Sequence, residues 1–330
     1  MFTEQSLREH PSLVKAFMGI SAEQFWELIE QMTEQFTAYI HQQRQRAQRQ
    51  RAVGGGRSHD LSLIIRTALV LTYLRLHIPQ ATVAALFVDA TQSDVSRDLR
   101  NLLPLIQHCL PCPVVWEEVV ADQAVPQTTR LSLADLTDGR VLIDATEQRI
   151  ARPHDSSVQK AYYSGKQHAH TLKTQVATDG ADHLKAISVA FPGAGHDKAV
   201  SDRLQTIARL PDGCEADADK GYQGLAAQVP SVTVQDRLTG EMQVLPRLSV
   251  QTPFKKPKGQ ELTAEQKAFN RALGAMRVRV EHCIGWAKNW AILATRFRCD
   301  HAIYTSIFRT ICGFVNVQTQ RWQAAKANCA

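Results

Sequence analysis

Residues 139–146 read Gly-Arg-Val-Leu-Ile-Asp-Ala-Thr: a turn residue, three apolar residues that favour strands, and an aspartate at position 144. Such a run predicts a buried strand that ends in a carboxylate. Downstream, 172–178 reads as a second strand, Asp179 and Gly180 as a turn, and 184–191 as a third strand. The short connections make these first three strands antiparallel neighbours. Pro192, Gly193 and Gly195 close the third, His196 and Asp197 open a helix through Leu210, and 214–219 gives a fourth strand ending in Asp219. The fold class that follows is α/β, a mixed sheet flanked by helices.

The sequence before this sheet is helical in texture. Ser21 caps a helix in which Phe25, Leu28, Met32, Phe36 and Ile40 recur at helical spacing. Its end carries Arg44, Arg46, Arg49 and Arg51, suited to lying along DNA, and runs into the glycine joint 54–56. A second helix covers 61–76. After Pro79 come a short helix at 80–87, a turn through Val88, Asp89 and Ala90, and a third helix opening near Gln92 or Ser93. This spacing resembles a helix-turn-helix, whose second helix presents its first residues to the major groove. Gln92, Ser93, Ser96, Arg97 and Arg100 are then the DNA-facing candidates, with Val95, Leu99 and Leu102 packed inward. A plain three-helix packing shares the same spacing. The expected organisation is a helical segment 1–57, a helix-turn-helix domain 58–110, a linker 111–139 marked by Pro111, Pro113 and Gly139, and an α/β domain 140–330 with a candidate hairpin insertion at 229–247.

Net charge is +6, but residues 241–330 carry 14 Lys and Arg against 5 Asp and Glu. Positive surface concentrated there and near 44–57 suits a polyanion such as double-stranded DNA. The apolar run 61–78 is interrupted by Arg66 and Arg75, so no stretch approaches the ~20 apolar residues of a membrane span. The early charges Glu4, Arg8 and Glu9 do not read as a signal peptide. Seven cysteines scattered over the chain fit a reducing compartment, and a cytoplasmic location without membrane partners is expected. Cys109 and Cys112 form a CxxC beside His108, but no second ligand pair follows at zinc-finger spacing.

Thr263 caps a long helix on which Glu281 shares a face with Asn270, Arg277 and Lys288, the offsets returning within about 40° at 100° per residue. Phe269, Leu273, Met276, Val280 and Ile284 form the adjoining apolar stripe. Taken alone, such a charged face is most often simply solvated. Together with Asp144 and Asp219, however, Glu281 can complete a carboxylate cluster for hard cations, magnesium or manganese. Two ions roughly 3.5–4 Å apart would serve an in-line displacement at phosphorus. Asp217 shares strand parity with Asp219, and the Lys220-Gly221-Tyr222 context favours Asp219. Asp197 competes as the second acid, or caps its helix. Lys166 and Lys173, with His168 and His170, either face phosphates or form a polar strand edge; Lys255 and Lys256 lie in a basic loop.

Several blocks in order carry a resemblance: VLIDAT at 141–146, YYSGKQHAHTLKTQV at 162–176, FPGAGHD at 191–197, ADKGYQG at 218–224, KKPKG at 255–259 and RVRVEHCIGWAKNWAIL at 277–293. Together they are similar to the DDE transposases of bacterial insertion sequences. The resemblance implies an RNase H-like fold with Asp144, Asp219 and Glu281 as the catalytic triad holding two magnesium ions. Arg277 and Lys288 are then the accompanying basic residues. It further implies binding to terminal inverted repeats, cleavage, transfer of the 3′ end to target DNA, and a homodimer or larger assembly. A DNA-binding regulator with an inactive nuclease domain and a non-transposing nuclease are the alternatives. The chain departs from the pattern at Gly274, where many relatives have a tyrosine.

Overall fold

The computed structural model describes residues 1–44, 61–120, 123–235 and 241–329. Two compact units result, one formed by Met1–Cys112 with Ala287–Val317 and the other by Pro113–Trp286 with Gln318–Ala330.

The first unit opens with α1 (Glu4–Glu9), α2 (Pro11–Met18), α3 (Ala22–Arg44), α4 (Leu63–Leu76), α5 (Gln80–Ala85) and α6 (Gln92–His108). Ser21 caps α3 as its sequence predicts: its hydroxyl accepts from the Gln24 amide at 3.2 Å while Gln24 Oε1 accepts from the Ser21 amide at 2.9 Å. Every residue of α4 from Ile65 to Leu74 is buried, the expected fate of a helix apolar on all sides. Arg66 is the exception in chemistry, and Asp98 on α6 answers it. Both side chains are 3% exposed and meet at 2.6 Å, and Arg66 Nε donates to both carboxylate oxygens at 3.0 Å. Between α5 and α6 the chain turns at Asp89, in the left-handed region with φ 57°, and a reciprocal Thr91–Asp94 cap starts α6. Pro104 lies inside α6. Arg44 closes α3 with its side chain outside the described residues, and Arg46, Arg49 and Arg51 lie outside them altogether.

The later segment of this unit buries Trp290, Ile292, Leu293, Phe297, Tyr304 and Phe308. These apolar residues give 287–317 to the helical unit rather than to a single 140–330 domain. His77, which ends α4 in the left-handed conformation, is held by Thr295 of this segment at 2.6 Å.

The second unit is built on an eight-stranded sheet. Along its path the order is β1 (Val114–Trp116), β5 (Leu184–Ser188), β4 (Ala169–Asp179), β2 (Arg140–Arg149), β7 (Glu215–Ala218) and β10 (Ser249–Gln251), with β3 (Tyr163–Ser164) and β6 (Phe191–Pro192) paired to β4. β2 and β5 run antiparallel to β4, while β7 runs parallel to β2; the sheet is mixed, as expected. β8 (Ser231–Gln235) and β9 (Met242–Pro246) pair separately as an antiparallel ribbon, and the residues between them, 236–240, lie outside the described set. Around the sheet lie α7 (Ser156–Tyr162), α8 (Asp197–Arg203), α9 (Thr206–Arg209) and α10 (Ala264–Lys288); α11 (Ala291–Ala294) and α12 (Tyr304–Cys329) follow.

Three expectations change here. The stretch 111–139 is not a free linker: it supplies β1 and buries Trp116, Leu131 and Leu136 in the sheet's core. Buried Arg209 fastens it, donating to the Glu117 carbonyl at 2.7 Å and the Thr129 hydroxyl at 2.6 Å. The helix expected over 197–210 breaks at Gln205, where φ is 49°. Asp144 does not end its strand, since β2 continues to Arg149 against β4. Among the described residues no helix is long and apolar enough to cross a membrane.

Two stability experiments follow. Asp98→Ala leaves the Arg66 guanidinium buried without its partner, so urea unfolding should show a loss of about 3–5 kcal/mol. His77 is 3% exposed, and burial first, with Arg298 second, lowers its pKa to about 4. The unfolded chain therefore binds the extra proton between about 6.5 and 4. His77 stabilises fully above about pH 6.5 and loses up to about 3 kcal/mol as pH falls through that window. His77→Gln should flatten the pH dependence of the urea midpoint there; an unchanged slope would assign the acid sensitivity elsewhere.

Candidate active site

The site begins with strand register. β7 pairs parallel with β2 so that Leu142 faces Asp217 and Ile143 faces Ala218. β7 then ends, and Asp219 leads into a 3-10 turn at Lys220–Tyr222. The next pair in register is Asp144 and Asp219. Both reach the same guanidinium, with Arg277 Nη2 3.4 Å from Asp144 Oδ2 and Nη1 3.2 Å from Asp219 Oδ1. Asp217, the parity competitor, points elsewhere: it is fully buried and pairs with Arg140 at 2.7 Å. The two differ in burial: Asp217 is fully buried within β7, while Asp219, where the turn begins, is partly exposed.

Electrostatics follow from this placement. Burial pushes the Asp144 carboxyl up to about 6; the Ala145 amide and Arg277 oppose it, and Asp219 and Asp197 add to it. Tyr222 is completely buried among the same acids, which raise its hydroxyl pKa further after burial has done most of the work.

A second carboxylate group adjoins the first. Asp197, at the start of α8, pairs with Lys173 at 2.7 Å, and the same ammonium donates to the Gly195 carbonyl at 2.6 Å and lies 3.6 Å from Glu147. Asp197 therefore acts through its side chain on Lys173 rather than as a helix cap. Lys173, expected to face phosphates, is buried at 7% exposure and committed to these acids, so it is no surface cation. Gly221 is required by close approach: a Cβ there would lie 2.6 Å from Asp197 Oδ2.

α10 carries the remaining candidates. Its buried face comprises Leu273, Arg277, Val280, Cys283 and Ala287, so Arg277 belongs to the packed side and is 8% exposed. Thr263 caps the helix reciprocally with Gln266 at 3.1 Å. Glu281, one turn beyond Arg277, is exposed. No three His, Cys, Asp or Glu side chains among the described residues form a ready metal-holding group. Asn270 does not look into the site; it holds both backbone polar groups of Phe254 at 2.8 and 3.0 Å. Lys288 closes α10, half-buried, in the segment assigned to the first unit. Gly274 is exposed with open space around it.

Of the other candidates, Gln92, Ser93, Arg97 and Arg100 are exposed and Ser96 half-buried; Arg97 pairs with Asp94 at 3.0 Å. Lys166, Lys255 and Lys256 are exposed, and Lys256 pairs with Glu261. Burial pushes the thiols of Cys109 and Cys112 up to about 11 and about 12, away from thiolate chemistry.

A carboxylate pair set at the end of a parallel strand pair, on a mixed sheet flanked by helices, defines a class of acid-centred α/β proteins. A family model described as DDE superfamily endonuclease matches residues 143–316, more than half of the chain, and the chain belongs to that family. It is also similar to the "Probable transposase for insertion sequence element IS702" of Microchaete diplosiphon, at 33% identity over 180 residues, 54% of this chain and 56% of that protein. The chain thus spans little more than half the length of this curated relative.

Gly221→Ala should lower the thermal midpoint, the overpacking costing about 1–3 kcal/mol, while Gly274→Ala, in open space, should leave it unchanged or raise it. Equal, neutral behaviour of the two would show that the Asp197 approach is not tight.

Proposed function

We propose that the chain is a transposase that binds the terminal inverted repeats of its own element, hydrolyses a phosphodiester at each end and joins the freed 3′ hydroxyl to target DNA. The observation that carries this reading is the convergence of Asp144 and Asp219, enforced by register, on one positive centre in a chain of this family. The antiparallel β2–β4–β5 strands with β7 added parallel support an RNase H-like fold for the second unit. In the first unit, α5, the turn at Asp89 and α6 support a helix-turn-helix with Gln92, Ser93, Ser96, Arg97 and Arg100 toward DNA.

The donors fit a hard divalent cation, magnesium or manganese. They are all oxygens, and two already share one cationic partner. Next to them the Tyr222 hydroxyl and Arg277 Nε are buried without hydrogen-bond partners among the described residues, suited to ordered water of the kind magnesium retains. Asp144 and Asp219 would hold the ions, with Glu281 as the third ligand. When bound, two such ions activate the attacking oxygen and stabilise the leaving one. The chain's own residues do the rest. Asp144 is ionised above about pH 6 and so ready to ligate at neutral pH. Arg277 and Lys288 would supply positive charge to the phosphate oxygens as charge builds in the transition state. Because two ends are processed together, a homodimer or larger assembly on DNA is expected.

The test is strand nicking of duplexes taken from the inverted repeats that flank the coding region, with magnesium. Wild type should nick at the element end, and Asp144→Asn and Asp219→Asn should bind the same duplex without cutting it. Undiminished magnesium-dependent nicking by both variants would remove the two acids from the chemistry.

A further inference from the structure

A cleft of about 310 Å³ opens in the first unit beside the exposed face of α6. Gln92, Ser96 and Arg100 of α6 form one wall, and Arg298 and Asp300 of the segment after α11 form another. Arg298 is exposed and anchored, since one of its Nη atoms donates to the carbonyl of His77 at the end of α4. A guanidinium has five N–H donors in a rigid fork, so this anchor orients the group and leaves donors over for a ligand. Both Arg100 and Arg298 act on the thiol of Cys299, a further wall residue; burial raises its pKa, and the two positive charges oppose that rise. Two guanidinium charges therefore flank one opening. Asp300 is the only carboxylate among the lining residues, and its side chain is engaged by the Ala302 amide at 3.0 Å.

Resting on the DNA-binding reading above, we propose that Arg100 and Arg298 clamp a backbone phosphate of the duplex whose groove α6 enters. A residue from near the end of the chain thereby completes the DNA surface of the N-terminal helices. Paired guanidiniums suit the fork geometry of a phosphate. A phosphate contact fixes the position of the reading helix while carrying no sequence information itself. α6 alone supplies Arg100, and Arg97 on the same helix is already paired with Asp94. The second guanidinium has to come from another segment, and Arg298 is placed to provide it.

Full-length protein is titrated with a duplex from the element's inverted repeat and with an unrelated duplex of equal length, over a series of salt concentrations. Arg298→Gln and Arg100→Gln should each weaken both duplexes by about tenfold or more and lower the slope of log K against log salt by about 1. Arg296→Gln, exposed on the same segment but outside the cleft, serves as the control for charge alone. Because Arg298 also holds His77, thermal midpoints are measured alongside. Asp300→Asn keeps the capping oxygen and removes the cleft's negative charge, so it should tighten both duplexes several-fold without unfolding anything. Wild type that binds neither duplex would remove the DNA reading itself. If wild type binds, three results overturn the clamp and leave that reading standing. They are unchanged affinity and salt slope in folded Arg298→Gln, no tightening in Asp300→Asn, or a loss confined to the inverted-repeat duplex.

Discussion

The parallel pairing of β2 with β7 is the constraint on which the rest of the second unit depends. It brings two carboxylates to adjoining positions where one strand ends and the other continues. Two like charges brought together in this way repel, by roughly 4 kcal/mol where the separation is 4 Å and the effective dielectric 20. Burial adds to the cost and is the largest influence on Asp144. Arg277 offsets both by reaching each acid from the buried face of α10. A helix that packed with a purely apolar stripe would leave the acids unopposed. The helix is therefore fixed by electrostatics as well as by Leu273, Val280 and Cys283, and also by Arg279, which bonds the Gly180 carbonyl at the β4–β5 turn.

Behind this pair the sheet is unusually polar. Thr171, Lys173, Thr174, Gln175 and Thr178 on β4 are all buried, and hydroxyls of Thr146, Thr174 and Thr178 lack partners among the described residues. Buried polar groups without partners are costly, and a sheet built only for stability would carry valine or isoleucine there. The buried polar groups concentrate on β4 and on β2, the strand that carries Asp144, which is what a polar centre requires. The Glu147–Lys173–Asp197 network satisfies the charged members of this layer, and Gly221 lets Asp197 close on the turn that follows Asp219.

Much of this was legible in the residues. The apolar triplet before Asp144, the strand of 172–178, the caps at Ser21 and Thr263 and the inward residues of α6 follow from local pattern, and the structure has them; the single strand expected over 184–191 is instead two, β5 ending at Ser188 and β6 at Phe191–Pro192. What escaped depends on partners distant in sequence. β1 and β10 are three residues each, too short for alternation to show, and exist through pairing with β5 and β7. Residues 111–139 looked like a linker because prolines and glycine dominate its punctuation, while Trp116 and Leu136 are single anchors without period. Lys173 looked exposed because a strand residue's charge says nothing about an acid arriving from α8. On α10 the helical wheel grouped Arg277 with Glu281, yet Arg277 sits at the margin of the buried stripe and Glu281 about 40° further out. That angle separates a residue that is packed from one that is solvated.

The same dependence on distant partners shapes the first unit. Apolar α4 and the buried face of α6 lie in its core, and the chain returns after α10 to add Trp290, Phe297 and Phe308 to the same unit. The stretch shared with the family begins inside β2 and ends at residue 316, one residue before this returning segment ends at Val317. The family match is therefore not a domain in the sense of one core: it contains strands of the sheet and also helices that belong to the N-terminal bundle. His77 and Arg298 show how closely the returning segment is joined to α4, through Thr295 on the imidazole and a guanidinium on the backbone carbonyl. Cutting the chain near residue 112 to isolate the helices would remove these bonds. The first unit is thus a discontinuous body, and its stability is a property of both segments together.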